Sequence, residues 1–196
     1  MVELGLPAII GYLLGSIPIA LLVGRAHGLD LREVGDRNPG AWNAMEQLGG
    51  RAAAPVFAGD GLKGLAAGLA GLALGGTWGA YAGVAGAMVG HALPVFASFR
   101  GGKSVMTFAG GAFALAPLAA FACLAACLVL SAVRSFRLGA RVGVFGFPLA
   151  QLVVDPIMEV AATGVLMTLI GVLYLIERLP PHARARGAPA DAKDKR

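Results

Sequence analysis

The sequence is short of charge. Only 14% of its 196 residues are Asp, Glu, Lys or Arg, where a soluble domain carries about a quarter. That shortage excludes an ordinary water-exposed surface, and with 57% hydrophobic residues the chain reads as an integral membrane protein. Acids are scarcer than bases, 11 against 16, leaving a net charge of +5. In a membrane chain such an excess first reflects the tendency of basic loops to stay on the cytoplasmic side, so no nucleic-acid partner is needed to explain it. Cysteine is nearly missing. Cys123 and Cys127 lie four apart inside an apolar run, which argues for buried or lipid-facing thiols and against a disulfide framework or a metal pair. The N-terminal segment has no basic region before its apolar run and no clear small-residue cleavage site, so it reads as a retained first helix.

What is abundant is apolar sequence and glycine, with 30 glycines in the chain. Apolar runs predict a helix over about residues 4–24, a polar loop to Arg51, helices over about 52–75 and 79–97, and a basic turn at 98–104. The next run, Val105 to Val133, is too long for one span and too short for two, since each needs about 20 residues. Pro117 near its middle predicts a short helix reaching part-way in and a longer one returning, which is allowed where protein shields the break from lipid. A second unequal pair follows, short over 142–154 and full length over 157–176. The expected fold is an all-α integral membrane bundle of seven helices, two of them partial spans, as one domain over 1–180 with a polar, disordered cytoplasmic tail over 181–196. Placing the N-terminus outside and the C-terminus in the cytoplasm puts fifteen of the sixteen Lys and Arg residues on the inner side. Pairs of small residues four apart, such as Gly64 and Gly68 or Gly86 and Gly90, predict close helix packing.

Polar residues gather in four places: the first inner loop, Asp60 with Lys63, the turn from Arg100 to Lys103, and the loop from Arg134 to Arg141. The turn "RGGKS" combines bulk-free backbone N–H groups, a following helix N-terminus and two cations, the ingredients of an anion nest. The rival reading is a helix cap that sets topology. A Walker A loop is excluded, because its first glycine would fall at Ala97 and no strand precedes the turn. Asp60 and Lys63 are three apart on a helix and can neutralise each other, yet charges inside a membrane segment are functional candidates. Taken singly, His91 reads as a hydrogen-bonded packing residue, and Asn38 and Asn43 as stabilisers of the turn around Pro39 and Gly40.

Together, "GSIP" (15–18), "DLREVGDRNPGAWNAMEQLGG" (from Asp30), "DGLKG" (60–64) and "GHALPVFASFRGGKSVMT" (90–107) resemble the bacterial membrane acyl-phosphate:glycerol-3-phosphate acyltransferases, the PlsY family. The resemblance covers about the first 110 residues and weakly continues through "VRSFRLGA". It implies a seven-helix fold in the bacterial plasma membrane, with the active site facing the cytoplasm. It also implies transfer of a fatty acyl group from acyl phosphate to the 1-hydroxyl of glycerol 3-phosphate, giving lysophosphatidic acid without metal or other cofactor. The implied partners are the two substrates, membrane lipids and an enzyme that supplies acyl phosphate. Gly101, Gly102 and Lys103 would hold a phosphate through backbone donors and one charge, and Lys63 would add positive field. Asn38, Gly40, Asn43, His91 and Arg137 would line the substrate site. No protein acid or base is implied, the substrate phosphate serving instead.

Three departures bear on this. The family has Ser, Thr and Arg where this chain has Asp36, Trp42 and Glu46, and two of those positions contact phosphate in the family. Two carboxylates there would repel a phosphate dianion. Either Arg37 or Arg137 neutralises them and a remodelled site stays active, or the acceptor has changed, or the chain is a non-catalytic binding or scaffold protein on the same fold.

Overall fold

The computed structural model describes residues 4–178. The expectation of a disordered tail over 181–196 lies outside the described residues. Among them the secondary structure is entirely helical: α1 (Gly5–Gly15), α2 (Ile19–Ala26), α3 (Ala41–Leu48), α4 (Gly50–Ala92), α5 (Val105–Leu115), α6 (Pro117–Val133), α7 (Phe136–Phe145), α8 (Phe147–Gln151) and α9 (Ile157–Arg178). Gly5–Ala26, Gly50–Ala97 and Ile157–Ile176 are each long and apolar enough to cross a bilayer. Large apolar side chains also face outward along the helices, Ile9, Leu62, Leu118, Leu128 and Val165 among them. That is the pattern of a protein whose solvent is lipid.

The 43 residues of α4 would stretch to about twice the membrane thickness if straight. They do not, because Gly75 and Gly76 leave helical geometry and the helix folds back on itself. Gly76 has a φ of 63°, a conformation that costs a side-chain-bearing residue dearly and glycine little. The two arms then touch backbone to backbone. A Cβ on Gly71 would strike the Gly79 carbonyl, and one on Gly83 would strike that of Ala67. The second arm meets α1 in the same way, Gly86 on Ala8 and Gly90 on Tyr12, while the first arm meets α5, Gly64 on Thr107 and Gly110 on Gly61. The glycines read as packing residues, Gly64, Gly68, Gly86 and Gly90, therefore pack, while Gly75 and Gly76 make the turn.

Several boundaries differ from the expected ones. The first helix breaks at Ser16–Pro18, because proline cannot donate the next hydrogen bond and its ring crowds the preceding turn. The second arm of α4 stops at Ala92, short of residue 97, since Pro94 ends it and a single 3₁₀ turn, Val95–Ala97, follows. Helix α3 occupies part of what reads as loop. Helix α7 starts at Phe136 because Ser135 caps it, its side chain accepting from the Leu138 N–H, so much of the supposed loop 134–141 is helical. The unequal pairs are present: α5 has 11 residues and α6 has 17, joined at Ala116 and Pro117.

Two apolar cores hold the assembly. The larger joins Tyr81, Val84 and Met88 of α4 to Phe108 of α5, Ala120 of α6, Phe147 of α8 and Leu166 and Ile170 of α9. The smaller seats Leu31 of the first loop and Ala41 and Ala44 of α3 against Ala53 and Val56 of α4. Away from the polar sites named above, a buried network ties α4, α8 and α9 together. Gln151 Nε2 donates to Tyr81 Oη at 2.9 Å, Thr163 Oγ1 donates to Gln151 Oε1 at 2.6 Å, and Tyr81 Oη donates to the Glu159 carbonyl at 2.8 Å. Each polar atom in it is satisfied, which a buried network requires to be stabilising.

Candidate functional site

The break in the first helix has a chemical consequence. It leaves the Ile17 carbonyl outside the helical ladder, and Lys63 Nζ donates to it at 3.2 Å. The same ammonium lies 2.9 Å from Asp60 Oδ1, with the two side chains only 5% and 1% exposed. His91 Nδ1, from the end of the second arm, stands 3.5 Å from that carboxylate oxygen. The fold-back of α4 thus brings His91, 28 residues beyond Lys63, onto the Asp60–Lys63 pair to make one buried polar cluster. Around it lies a small pocket lined by Ile17, Pro39, Asp60, Lys63, His91 and Gly101 among others.

The basic turn packs directly on this cluster. Gly101 N–H donates to the Ala92 carbonyl at 3.1 Å and Gly102 N–H to the His91 carbonyl at 3.0 Å. The expectation that these two backbone groups hold a phosphate is therefore corrected: they are spent capping the C-terminus of α4, whose last carbonyls have no helical partner. What the glycines provide is room. A Cβ on Gly102 would lie 2.5 Å from His91 Nε2, 3.2 Å from the Pro39 carbonyl and 3.3 Å from Asn38 Oδ1. His91 and Asn38 thus converge on the turn from opposite elements, and Asn38 Oδ1 and His91 Nδ1 are buried without a hydrogen-bond partner.

Backbone conformation marks the same region. The non-glycine residues with positive φ among the described residues are Arg37 at 61°, Ser98 at 55°, Phe99 at 58° and Ser104 at 60°. Each costs about 1–2 kcal/mol, and all four sit in the first loop and the basic turn, the two segments that ion pairs join beside the pocket. Strain of this kind persists where the surroundings over-determine it and clusters at functional sites. Ser104 is also fully buried, its hydroxyl donating to the Met88 carbonyl.

The remaining site candidates divide. Asn43 is fully buried and donates its amide to the carbonyls of Leu31 at 2.9 Å and Val34 at 3.1 Å, so it shapes the first loop. Gly40 is buried at the N-terminus of α3, close to the Asn38 amide. Lys103 lies outside the pocket lining and binds Asp36 Oδ2 at 2.9 Å. Among the described residues neither Arg37 nor Arg137 forms an ion pair with Asp36 or Glu46, so the reading in which one of them neutralises these acids loses its basis. Arg137 instead stands 5.4 Å over the Trp42 ring, on which Phe136 stacks at 5.9 Å. Glu46 is exposed on α3 and forms no ion pair among the described residues. Asp30, by contrast, is gripped by Arg32 through contacts of 2.6–3.2 Å, and that hydrogen bonding pulls its pKa from 3.8 down to about 2.

Comparison with known proteins is decisive on kinship. A family profile described as glycerol-3-phosphate acyltransferase matches residues 6–180. The chain belongs to that family. A glycerol-3-phosphate acyltransferase of Roseobacter denitrificans is 41% identical over 194 residues, covering 95% of this chain and 94% of that protein. One of Rubrobacter xylanophilus is 50% identical over 110 residues, 56% of this chain and only about half, 55%, of that protein. Among solved structures, PlsY, an integral membrane glycerol 3-phosphate acyltransferase, matches in its glycerol 3-phosphate form with a TM-score of 0.75 at 30% identity, covering 93% of this chain and 91% of that one. Its lysophosphatidic acid form matches at 0.73 and 28% identity. The chain is accordingly an all-helical membrane protein of the glycerol-3-phosphate acyltransferase family.

Most of the cluster's residues are legible in the sequence, and their wiring is not. The contact of His91 with Asp60, the use of the Ile17 carbonyl and the pairing of Lys103 with Asp36 join distant residues. Only "GSIP" gave any hint, since a proline inside an apolar run announces a broken helix and hence a spare carbonyl.

Proposed function

We propose that the chain transfers a fatty acyl group from acyl phosphate to the 1-hydroxyl of glycerol 3-phosphate, releasing inorganic phosphate and giving lysophosphatidic acid. The observation that carries this reading is the convergence of Lys63, His91 and Gly101 on one pocket beside the broken first helix, with Asn38 and His91 both reaching Gly102 in the adjoining basic turn. Both substrates bear phosphate, and the pocket region offers two ammonium groups of different character, one buried with Asp60 and one nearer water with Asp36.

In the reaction, the acceptor hydroxyl oxygen attacks the acyl carbonyl carbon, forming the new ester bond. The bond from that carbon to the phosphate oxygen breaks, and the departing phosphate takes the hydroxyl proton, so the chain need supply no acid or base. Lys103 holds a substrate phosphate, and Lys63 adds positive field where charge develops on the leaving oxygen. Gly101 and Gly102 contribute closeness of approach. Asn38, with its free amide oxygen, orients a hydroxyl.

We further propose seven passes, formed by α1–α2, the two arms of α4, α5, α6, α7–α8 and α9, with the N-terminus outside and the site on the cytoplasmic face of a bacterial plasma membrane. The support is charge: this arrangement keeps Arg25, Arg32, Arg37, Arg100, Lys103, Arg134, Arg137 and Arg141 on one side.

The test is a transfer assay with purified protein in lipid, given acyl phosphate and glycerol 3-phosphate, alongside Lys103→Ala. Lysophosphatidic acid should form with the native protein and fall at least tenfold in the variant. Turnover of acyl phosphate with some other alcohol, and none with glycerol 3-phosphate, would overturn the acceptor assignment.

A further inference from the structure

We infer that Asp36 is an internal competitor for Lys103, an acid built into the first loop that substrate phosphate must displace. The inference rests on the reading that Lys103 takes a substrate phosphate, and it adds the residue that sets how readily it does so.

The loop and the turn are stitched by two ion pairs in matched register. Glu33 meets Arg100 at 3.2 Å and Asp36 meets Lys103 at 2.9 Å, so two acids three apart oppose two cations three apart. The pairs are not alike. Glu33 and Arg100 are 65% and 55% exposed, whereas Asp36 and Lys103 are 40% and 26% exposed, so the second is the less hydrated. Asp36 is also aimed. Its Oδ1 accepts the Asn38 N–H at 3.0 Å, which fixes the carboxylate and turns Oδ2 toward the ammonium. Lys103 is confined from another side by the Tyr174 ring, 5.5 Å from the ammonium.

A phosphate reaching Lys103 has two courses. It can share the cation with Asp36, placing two anions within a few ångströms of each other, or it can expel the carboxylate and break a pair already formed. Either weakens binding of the ground state. Neither touches the bonds that change, so the burden falls on KM and spares kcat. Because the pair is partly exposed, its strength is modest and falls with salt.

The test uses Asp36→Asn, which keeps an acceptor for the Asn38 N–H while removing the charge. Equilibrium binding of glycerol 3-phosphate and of a long-chain acyl phosphate is measured separately on the full chain in detergent, with steady-state kinetics beside it. The substrate whose phosphate sits on Lys103 should bind about three- to tenfold more tightly at low salt, with kcat within about twofold and the gain shrinking as salt rises. Asp36→Glu should bind like the native protein, and adding Asp36→Asn to Lys103→Ala should bring no gain. Weaker or unchanged binding of both substrates in Asp36→Asn, where Lys103→Ala alone still loses binding, overturns the competitor role and leaves the phosphate reading standing. Unchanged binding in Lys103→Ala overturns both.

Discussion

Removing one charge of the pair between Asp60 and Lys63 is expected to cost more stability than removing both. The ions are 2.9 Å apart and almost fully buried. At an effective dielectric of about 20 their attraction is about 6 kcal/mol. Taking each ion out of water costs several kcal/mol, so the intact pair is near break-even. Lys63→Met deletes the attraction and leaves the carboxylate desolvated. The expected loss is about 3 kcal/mol, at the low end for a broken buried pair, because His91 Nδ1 remains 3.5 Å from the carboxylate. Asp60→Leu leaves the ammonium with only the Ile17 carbonyl at 3.2 Å, for an expected loss of about 4 kcal/mol. The double variant Asp60→Leu/Lys63→Met removes both desolvation costs and should fall within about 1–2 kcal/mol of the native protein. Denaturant unfolding in detergent micelles reads these differences, and the coupling between the two changes should come to about 5 kcal/mol. The double variant should still lack acyl transfer, separating the functional charge from the structural pair. A Lys63→Met protein as stable as the native one, or additive losses in the double variant, would refute the reasoning.

Gly102→Ala places a methyl group 2.5 Å from His91 Nε2. Because His91 is held between Asp60 and the turn, the expected result is a fall of about tenfold to a hundredfold in kcat/KM with the protein still folded; unchanged kinetics would show that the close approach is unimportant. Asp30 should titrate near pH 2, since its hydrogen bonds to Arg32 hold its pKa at about 2 against an ordinary 3.8. Its folded-state value is depressed, so its contribution to stability is complete above about pH 4 and is lost as pH falls through about 2. Carbon-13 NMR of the carboxyl group checks this, and a midpoint near 4 would contradict it.

Much of the fold could be read from residues alone. "LGGTWG" was legible as a turn because two glycines interrupt an apolar stretch twice too long for one span. Pro117 split the run from Val105 to Val133 for the same kind of reason. Helix α3 was not legible, since "AWNAMEQL" is short, carries three polar residues in eight and follows a proline and a glycine that speak for a turn; its apolar face counts only once Leu31 and Val56 stand beside it. The start of α7 was hidden by Arg134 just before it and by its own Arg137 and Arg141, which read as loop until Ser135 is seen capping the helix. At the site, Asp60, Lys63, His91 and the glycine turn announced themselves as polar residues in an apolar chain. Their roles did not. Gly101 and Gly102 looked like anion donors because sequence cannot show that the carbonyls of Ala92 and His91 claim those N–H groups first.

By itself the sequence determined that this chain lives in lipid and packs through glycine, since both follow from composition and from spacing along one dimension. Only the tertiary structure decided which charge meets which. Asp36 and Lys103 are 67 residues apart, and they meet because α4 folds back and carries the basic turn to the first loop. An ion pair is a matter of a few ångströms, and over such a separation in the chain only the folded backbone sets that distance.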